Sequence, residues 1–493
     1  THSDYGKWVV RNGPNRIGDR APVGKYSRLF IGHGGHPLEY DASGNPLNLD
    51  YNYHCIPDRP DVFSGFDAIQ GTTQGHRHAP GGIQNEDDYR FVMQQYLQSC
   101  LEQNIRYTEP SQNISISEIV LYPDLPPHEA RKKFFRLAKE IVDEFAAKGV
   151  TLRFTHCANK TGVAGVGKPL SERANDWADW LKDAKETVPG VFVGMTSAGH
   201  EKREIEAGGP RAMVNGYQRV VDMGLGVEGH YGEGAGVEHA MKAWDLLPKE
   251  TRFAHMFQII ESMDAIKKVR ESGKPIIMSP AINIRLGGIL HYTGSEEDRT
   301  KRKITYKIQR NPETGEMLFD EKIIVDPETH EERKIRVPRR VEGIKNHDIG
   351  NREEHPIWEL MRKHHIPIGL MSDDPQQGGI DYKDQVKLLA GFPVKHVPIP
   401  AIPKEGFTHI DREGKQEHYT PLTAEELVLC NLNALQVAFC EPEVKRRLAE
   451  TIAAWAKERD IQVEHRLPAR PRTTIAGGGA THDPLDIDDG RTP

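Results

Sequence analysis

From Glu86 onward, segments with helical periodicity alternate with short β-rich runs, and this alternation restricts the fold more than any other feature of the chain. The periodic segments are 86–103, 128–148, 170–187, 210–223, 236–246 and 354–364. Between them lie runs at 105–108, 150–155, 191–195, 226–228, 252–254, 275–278 and 366–371, each apolar or β-branched and each followed by a loop. That is the βαβα pattern of a parallel sheet. An open doubly wound sheet gathers ligands at one crevice, whereas a closed (β/α)8 barrel brings the ends of all its strands around one pocket. Seven runs, with one more in the first residues, make about the eight that a barrel requires. We therefore expect an α/β fold of the (β/α)8 TIM-barrel type, with a single barrel domain spanning 1–465.

Two regions interrupt the alternation. Residues 11–85 are rich in Gly, Pro, Asn and Asp and read as a long N-terminal loop region covering the barrel. The stretch 291–346 is charged and contains β-like runs at 304–310, 317–325 and 333–337, separated by Asn311-Pro312-Glu313-Thr314-Gly315 and Asp326-Pro327-Glu328-Thr329. It reads as an inserted β-meander, a lid or an oligomer contact, with its Lys and Arg on a solvated face. A helical stretch follows at 423–458, and the Pro/Gly/Asp-rich tail 466–493 is expected to be disordered.

Composition narrows the function classes. A formal net charge of −7 gives no support for non-specific nucleic-acid binding. No apolar run approaches the length of a membrane span. The five cysteines, Cys55, Cys100, Cys157, Cys430 and Cys440, include no CxxC pair and suggest reduced thiols in a cytoplasmic protein.

The first polar groups after the runs are Glu109, His156, Thr196, His230, His255, Asn283 and Asp373, and in a barrel they would converge. The last apolar run stops at Ser372-Asp373-Asp374-Pro375, where two adjacent carboxylates are costly to hold together unless a cation or a proton separates their charges. His230-Tyr231-Gly232-Glu233 offers an imidazole and a carboxylate that can fold back over the same pocket. His255 follows one βα unit later. The chain opens on Thr1-His2-Ser3-Asp4, and with a histidine ahead of Thr1, His2 would complete a His-x-His pair on one strand face. Histidines and an aspartate together imply Zn²⁺ or another divalent transition metal with an open position for water.

These motifs, taken in order, resemble the adenosine/AMP deaminase family of the metal-dependent hydrolase superfamily. The family's His-Ala-Gly-Glu is similar to His230-Tyr231-Gly232-Glu233, its histidine on the next strand to His255, and its Ser/Thr-Asp-Asp-Pro to Ser372-Asp373-Asp374-Pro375. Further matches are Tyr107-Thr108-Glu109, Ser197-Ala198-Gly199-His200-Glu201, His355-Pro356-Ile357, and Leu422-Thr423-Ala424-Glu425-Glu426-Leu427 with Asn431-Leu432-Asn433-Ala434. The first metal motif resembles Thr1-His2-Ser3-Asp4, with His33/His36 and His76/His78 in reserve. Tyr231, Met256 and His200 depart from the family's residues and are expected to line or approach the pocket.

The resemblance implies hydrolytic deamination of an aminopurine nucleoside or nucleotide, or an N6-modified purine, with one Zn²⁺ per chain. It assigns metal binding to His2, His230 and Asp373, catalysis to Glu233, His255 and Asp373, and substrate binding to Asp4, Gly199 and Asp374. The implied partner is a small-molecule purine, with neither nucleic acid nor membrane, and the oligomeric state is left open. A metal-dependent phosphoesterase is the alternative reading of Thr1-His2-Ser3-Asp4-Tyr5. A catalytically silent binding member of the fold is a third.

Overall fold

The computed structural model describes residues 85–160, 168–199, 201–281, 283, 319–325, 332–338, 355–373, 381–393, 402–410 and 415–462. The N-terminal covering loops, His2, Asp4, both reserve histidine pairs, His200, Asp374, the 304–310 strand and the 466–493 tail all lie outside the described residues.

Thirteen strands are described: β1 Tyr107–Thr108, β2 Ser111–Gln112, β3 Thr151–Leu152, β4 Phe154–Asn159, β5 Phe192–Ala198, β6 Gly226–Tyr231, β7 Arg252–His255, β8 Ile276–Met278, β9 Phe319–Val325, β10 Glu332–Pro338, β11 Ile368–Leu370, β12 Phe407–Ile410 and β13 Gln416–Tyr419. Seven of them form one sheet in the order β11-β8-β7-β6-β5-β4-β2. Every pairing within that sheet is parallel. A large parallel sheet with helices between its strands is the arrangement expected from the alternation. Consecutive strands are neighbours from β4 to β8, so their ends form a continuous rim.

The differences from expectation have local causes. The 150–155 run is divided between β3, which pairs with β1, and β4, which pairs with β2. Pro110 separates β1 from β2; it has no N–H to donate, and its carbonyl accepts from Thr155 N. The 210–223 segment begins as a 3-10 turn at Gly209–Ala212 and becomes α-helical only at Val214–Asp222. Gly208 and Gly209 ahead of it hold positive φ, and Pro210 follows them. The charged insertion contributes β9 and β10, an antiparallel pair with register Phe319↔Pro338 to Val325↔Glu332.

The helices cover the sheet by periodic burial. Helix Pro127–Ala147 starts with proline at its first turn and buries Ala130, Phe134, Leu137, Ala138, Ile141 and Phe145 at spacings of three and four. Helix Ala424–Gln436 lies against β11, where a Cβ at Gly369 would fall 2.8 Å from Ala434 Cα. Glycine is what permits that approach. The same helix opens with a capping box, in which the Thr423 hydroxyl accepts from Glu426 N and the Glu426 carboxylate accepts from Thr423 N. Glu426 also holds Arg362 in a two-bond pair at 2.7 Å. Thr423→Ala is expected to lower stability by about 1 kcal/mol, read as a lower urea midpoint at unchanged slope.

Candidate active site

β6, β7 and β11 deliver His230, His255 and Asp373 to the same end of the sheet, and the turn after β6 adds Glu233. Ligand atoms of Glu233, His255 and Asp373 all lie within 4.8 Å of one another. His255 Nε2 is 3.6 Å from Glu233 and 3.9 Å from Asp373. The His230 and His255 rings meet edge to face, their centroids 4.9 Å apart. The four residues singled out most strongly in the sequence are thus one cluster.

The backbone is bent to achieve this. His255, Met256 and Asp373 hold φ of 69°, 49° and 56°, left-handed values that cost an L-residue roughly 1–3 kcal/mol and persist where surrounding structure enforces them. The turn at Gly232, φ 73°, passes so near that an added Cβ would sit 2.9 Å from Met256 Cα. Met256 N donates to the Tyr231 carbonyl and Gln258 N to that of Gly232, which ties the two turns together.

Electrostatics separates the roles of the cluster. Burial, then the charge of Glu201, pushes the Glu233 carboxyl up to about 7. Burial brings His255 down to about 4, although Asp373 pulls the other way, so its imidazole is neutral at neutral pH. Burial also acts against a charge on His230, yet the hydrogen bond and charge of Glu228 raise it. Asn283 Nδ2 donates to His255 Nδ1 at 3.1 Å and to Glu233 Oε1 at 3.2 Å. With Nδ1 accepting, the neutral ring carries its proton on Nε2, the nitrogen that faces Glu233 and Asp373.

Below the cluster is a buried layer of charge. Glu228, two residues before His230 on the same strand face, accepts from Thr196 Oγ1 at 3.3 Å and meets His230 Nε2 at 3.2 Å. Its other oxygen pairs with Arg252, which reaches Glu109 at 2.7 Å. Burial opposes its ionisation, but Arg252 and His230 hold the Glu228 carboxyl down at about 2.

Several residues stand elsewhere than their sequence positions suggest. Glu109 belongs to the Arg252 layer and also accepts from Phe439 N, away from the rim. His156 is turned into the wall, ring to ring with Trp177 and Trp180 and with Nδ1 against Ile114 N and Gln112 O. Tyr231, expected at the pocket, faces the opposite side of the sheet from His230. There its hydroxyl donates to Glu204 at 2.8 Å beneath the Lys160 ammonium. His355 is buried against Phe257 with Nδ1 accepting from Ile357 N. Gly199 follows β5 directly with φ 111°. Asn283, Glu228, Glu201 and Lys160 were not among the sequence-predicted site residues, although Asn283 appears in the series of strand-end groups.

Carboxylate oxygen from Asp373 and imidazole nitrogen from His230 are donors that suit a divalent transition metal, with Glu233 and the Nε2–H of His255 grouped beside them. Glu228 occupies one nitrogen of His230 in the way that carboxylates orient metal-ligating histidines.

Comparison with known proteins agrees with the resemblance read from the motifs. The structure is similar to the adenine deaminase of Arthrobacter aurescens, with a TM-score of 0.54 over 92% of this chain and 97% of that one, at 14% identity. Similarity extends to a Burkhoderia ambifaria amidohydrolase with bound Zn, 16% identical, with a TM-score of 0.49 over 89% of this chain and 98% of that one. In sequence the chain is 28% identical over 150 residues to an adenine deaminase of Chelativorans sp. (strain BNC1), a match covering 30% of this chain and 42% of that protein. The match thus spans less than half the length of that curated relative. No family model matches the chain. The likeness is one of fold, to an adenine deaminase, beside a short sequence match to another. Among the described residues, no helix is long and apolar enough to cross a membrane.

Proposed function

We propose that this protein is a zinc-dependent hydrolytic deaminase of an aminopurine, the base or its nucleoside or nucleotide, which releases ammonia. The observation that carries the reading is a carboxyl held near 7 at Glu233, 3.6 Å from a neutral His255 and grouped with Asp373 at the ends of parallel strands. Proton donor, neutral imidazole and anionic acceptor are thus within reach of one reacting carbon.

One Zn²⁺ per chain would be held by Asp373, by His230 through the nitrogen that Glu228 leaves, and by His2 with its strand partner. Once bound, it supplies the Lewis acidity that makes water a nucleophile near neutral pH. Asp373 accepts the proton of the attacking water, and His255 Nε2–H orients that water. Attack falls on the ring carbon bearing the amino group. Glu233 protonates the adjacent ring nitrogen, Asp373 passes the proton taken from water to the departing amine, and Glu233 recovers a proton from the new hydroxyl, so the C–N bond breaks with loss of ammonia and a carbonyl remains. Asp374 would read the five-membered ring edge, the backbone at Gly199 the six-membered ring, and Asp4 a ribose hydroxyl. The fold we assign is a closed (β/α)8 barrel, its eighth strand supplied by the first residues. The covering loops 11–85 and the inserted β-pair belong to that same domain, and the reduced thiols of Cys100, Cys430 and Cys440 suit a cytoplasmic enzyme.

The test is ammonia release by zinc-loaded protein over adenine, adenosine, AMP, N6-methylated purines and guanine compounds, beside a phosphatase control. Ammonia is expected from at least one aminopurine and is removed by chelation. Phosphate release without ammonia would replace this reading with the phosphoesterase.

A further inference from the structure

The short helix Glu201–Glu206 stands behind the turn that carries Glu233. Glu201, 5% exposed, accepts from three successive backbone N–H groups in that turn: Glu233 at 3.1 Å, Gly234 at 3.3 Å and Ala235 at 2.8 Å. Consecutive amides converging on one anion form an anion-binding nest, filled here by a carboxylate of the protein's own chain. Such charge-assisted bonds are about twice as strong as neutral ones. Three residues along, on the same helix face, Glu204 receives the Lys160 ammonium at 2.9 Å and the Tyr231 hydroxyl. Lys160, fully buried, also donates to the His230 carbonyl. One helix therefore grips the end of β6 at two points, ahead of Glu233 and at Glu233 itself.

We propose that Glu201 is a positioning residue for Glu233: its carboxylate fixes the 233–235 turn so that the Glu233 side chain is already set beside His255 and Asp373 when substrate enters. The inference rests on the deaminase reading, but its structural half does not depend on that reading. Gly232 and Gly234 flank Glu233, so the chain itself supplies little stiffness there. Without the carboxylate, three N–H groups lose their common acceptor and the turn can shift. A displacement of about 1 Å in such a group costs roughly 10²-fold in rate.

The experiment uses full-length protein loaded with zinc, as wild type, Glu201→Ala and Glu201→Gln. It measures kcat and KM for ammonia release, zinc content, and amide hydrogen exchange by mass spectrometry. For Glu201→Ala we expect kcat to fall about 10²-fold with KM within about twofold. Exchange should accelerate in peptides covering 232–236 while the 127–147 helix keeps its protection, and zinc content should hold. Glu201→Gln, which retains one acceptor oxygen, should fall between Ala and wild type in both readouts. Wild-type exchange at 232–236 in Glu201→Ala, or kcat within about twofold of wild type, would overturn the proposal. So would loss of protection throughout the molecule in both variants, since the carboxylate would then serve the fold as a whole. If the wild type itself releases no ammonia, the deaminase reading fails while the exchange data still decide what Glu201 does.

Discussion

Glu233→Gln is expected to lower kcat by about 10²–10⁴-fold while zinc content and thermal stability stay at wild-type values. The amide is isosteric and its Oε1 can still accept from Asn283 Nδ2, so the local hydrogen bond survives. What disappears is a group able to give up a proton. In the wild type, burial and the neighbouring Glu201 charge keep the Glu233 carboxyl protonated in a large share of molecules near neutral pH, which an exposed carboxyl would not be. Proton delivery to the ring nitrogen belongs to the transition state and not to substrate binding. kcat and kcat/KM should therefore fall together, with KM changing little. Steady-state ammonia release beside metal analysis measures this directly. A variant with wild-type turnover would remove Glu233 from the mechanism, and a variant lacking zinc would reassign it to the metal.

The parts of the fold and site that could be read from sequence were those written in contiguous residues. The parallel sheet was legible because its strands are apolar runs bounded by loops. His230, His255 and Asp373 were legible because each closes such a run, and Glu233 because it follows at once. Glu109, His156 and Tyr231 show why the remainder was not. A strand's side chains alternate, so a shift of one residue in judging where a run ends moves a group to the other face. His156 lies on the helix side between two tryptophans, and Tyr231 points away because His230 before it points inward. The apolar run legible in the sequence stops at Glu228, three residues before β6 ends, so the alternation at Tyr231 falls beyond it. Glu201 stands in the Ser197–Glu201 motif, but that motif does not show which backbone it serves, because the turn it holds lies more than thirty positions away. The same holds for Arg252, Glu228 and Glu109, whose association depends on strand register.

That layer sets the second large effect. Arg252→Met is expected to destabilise the protein by about 3–5 kcal/mol at neutral pH, because it leaves Glu228 and Glu109 buried without their shared cation. The guanidinium lies 3.9 Å from the centre of the Phe439 ring and also donates to the Val437 carbonyl, so methionine replaces the stem and none of these contacts. The pH dependence distinguishes a charge effect from simple loss of packing. In the wild type the Glu228 carboxyl is depressed from 4.5 to about 2; its pairing therefore stabilises the fold fully above the ordinary carboxylate range and is lost as pH falls through that range toward 2. In the variant the buried Glu228 carboxylate is destabilising while ionised, and its protonation relieves it. The gap between variant and wild type should thus be widest near pH 7 and should narrow toward about pH 4. Urea unfolding at both pH values measures it, and an equal gap at the two would assign the loss to packing alone. Since Glu228 also holds His230, the variant should bind zinc more weakly even where it remains folded. Layer and site are coupled through one carboxylate: on one side it meets the cation that stabilises the sheet, and on the other the imidazole that the site requires.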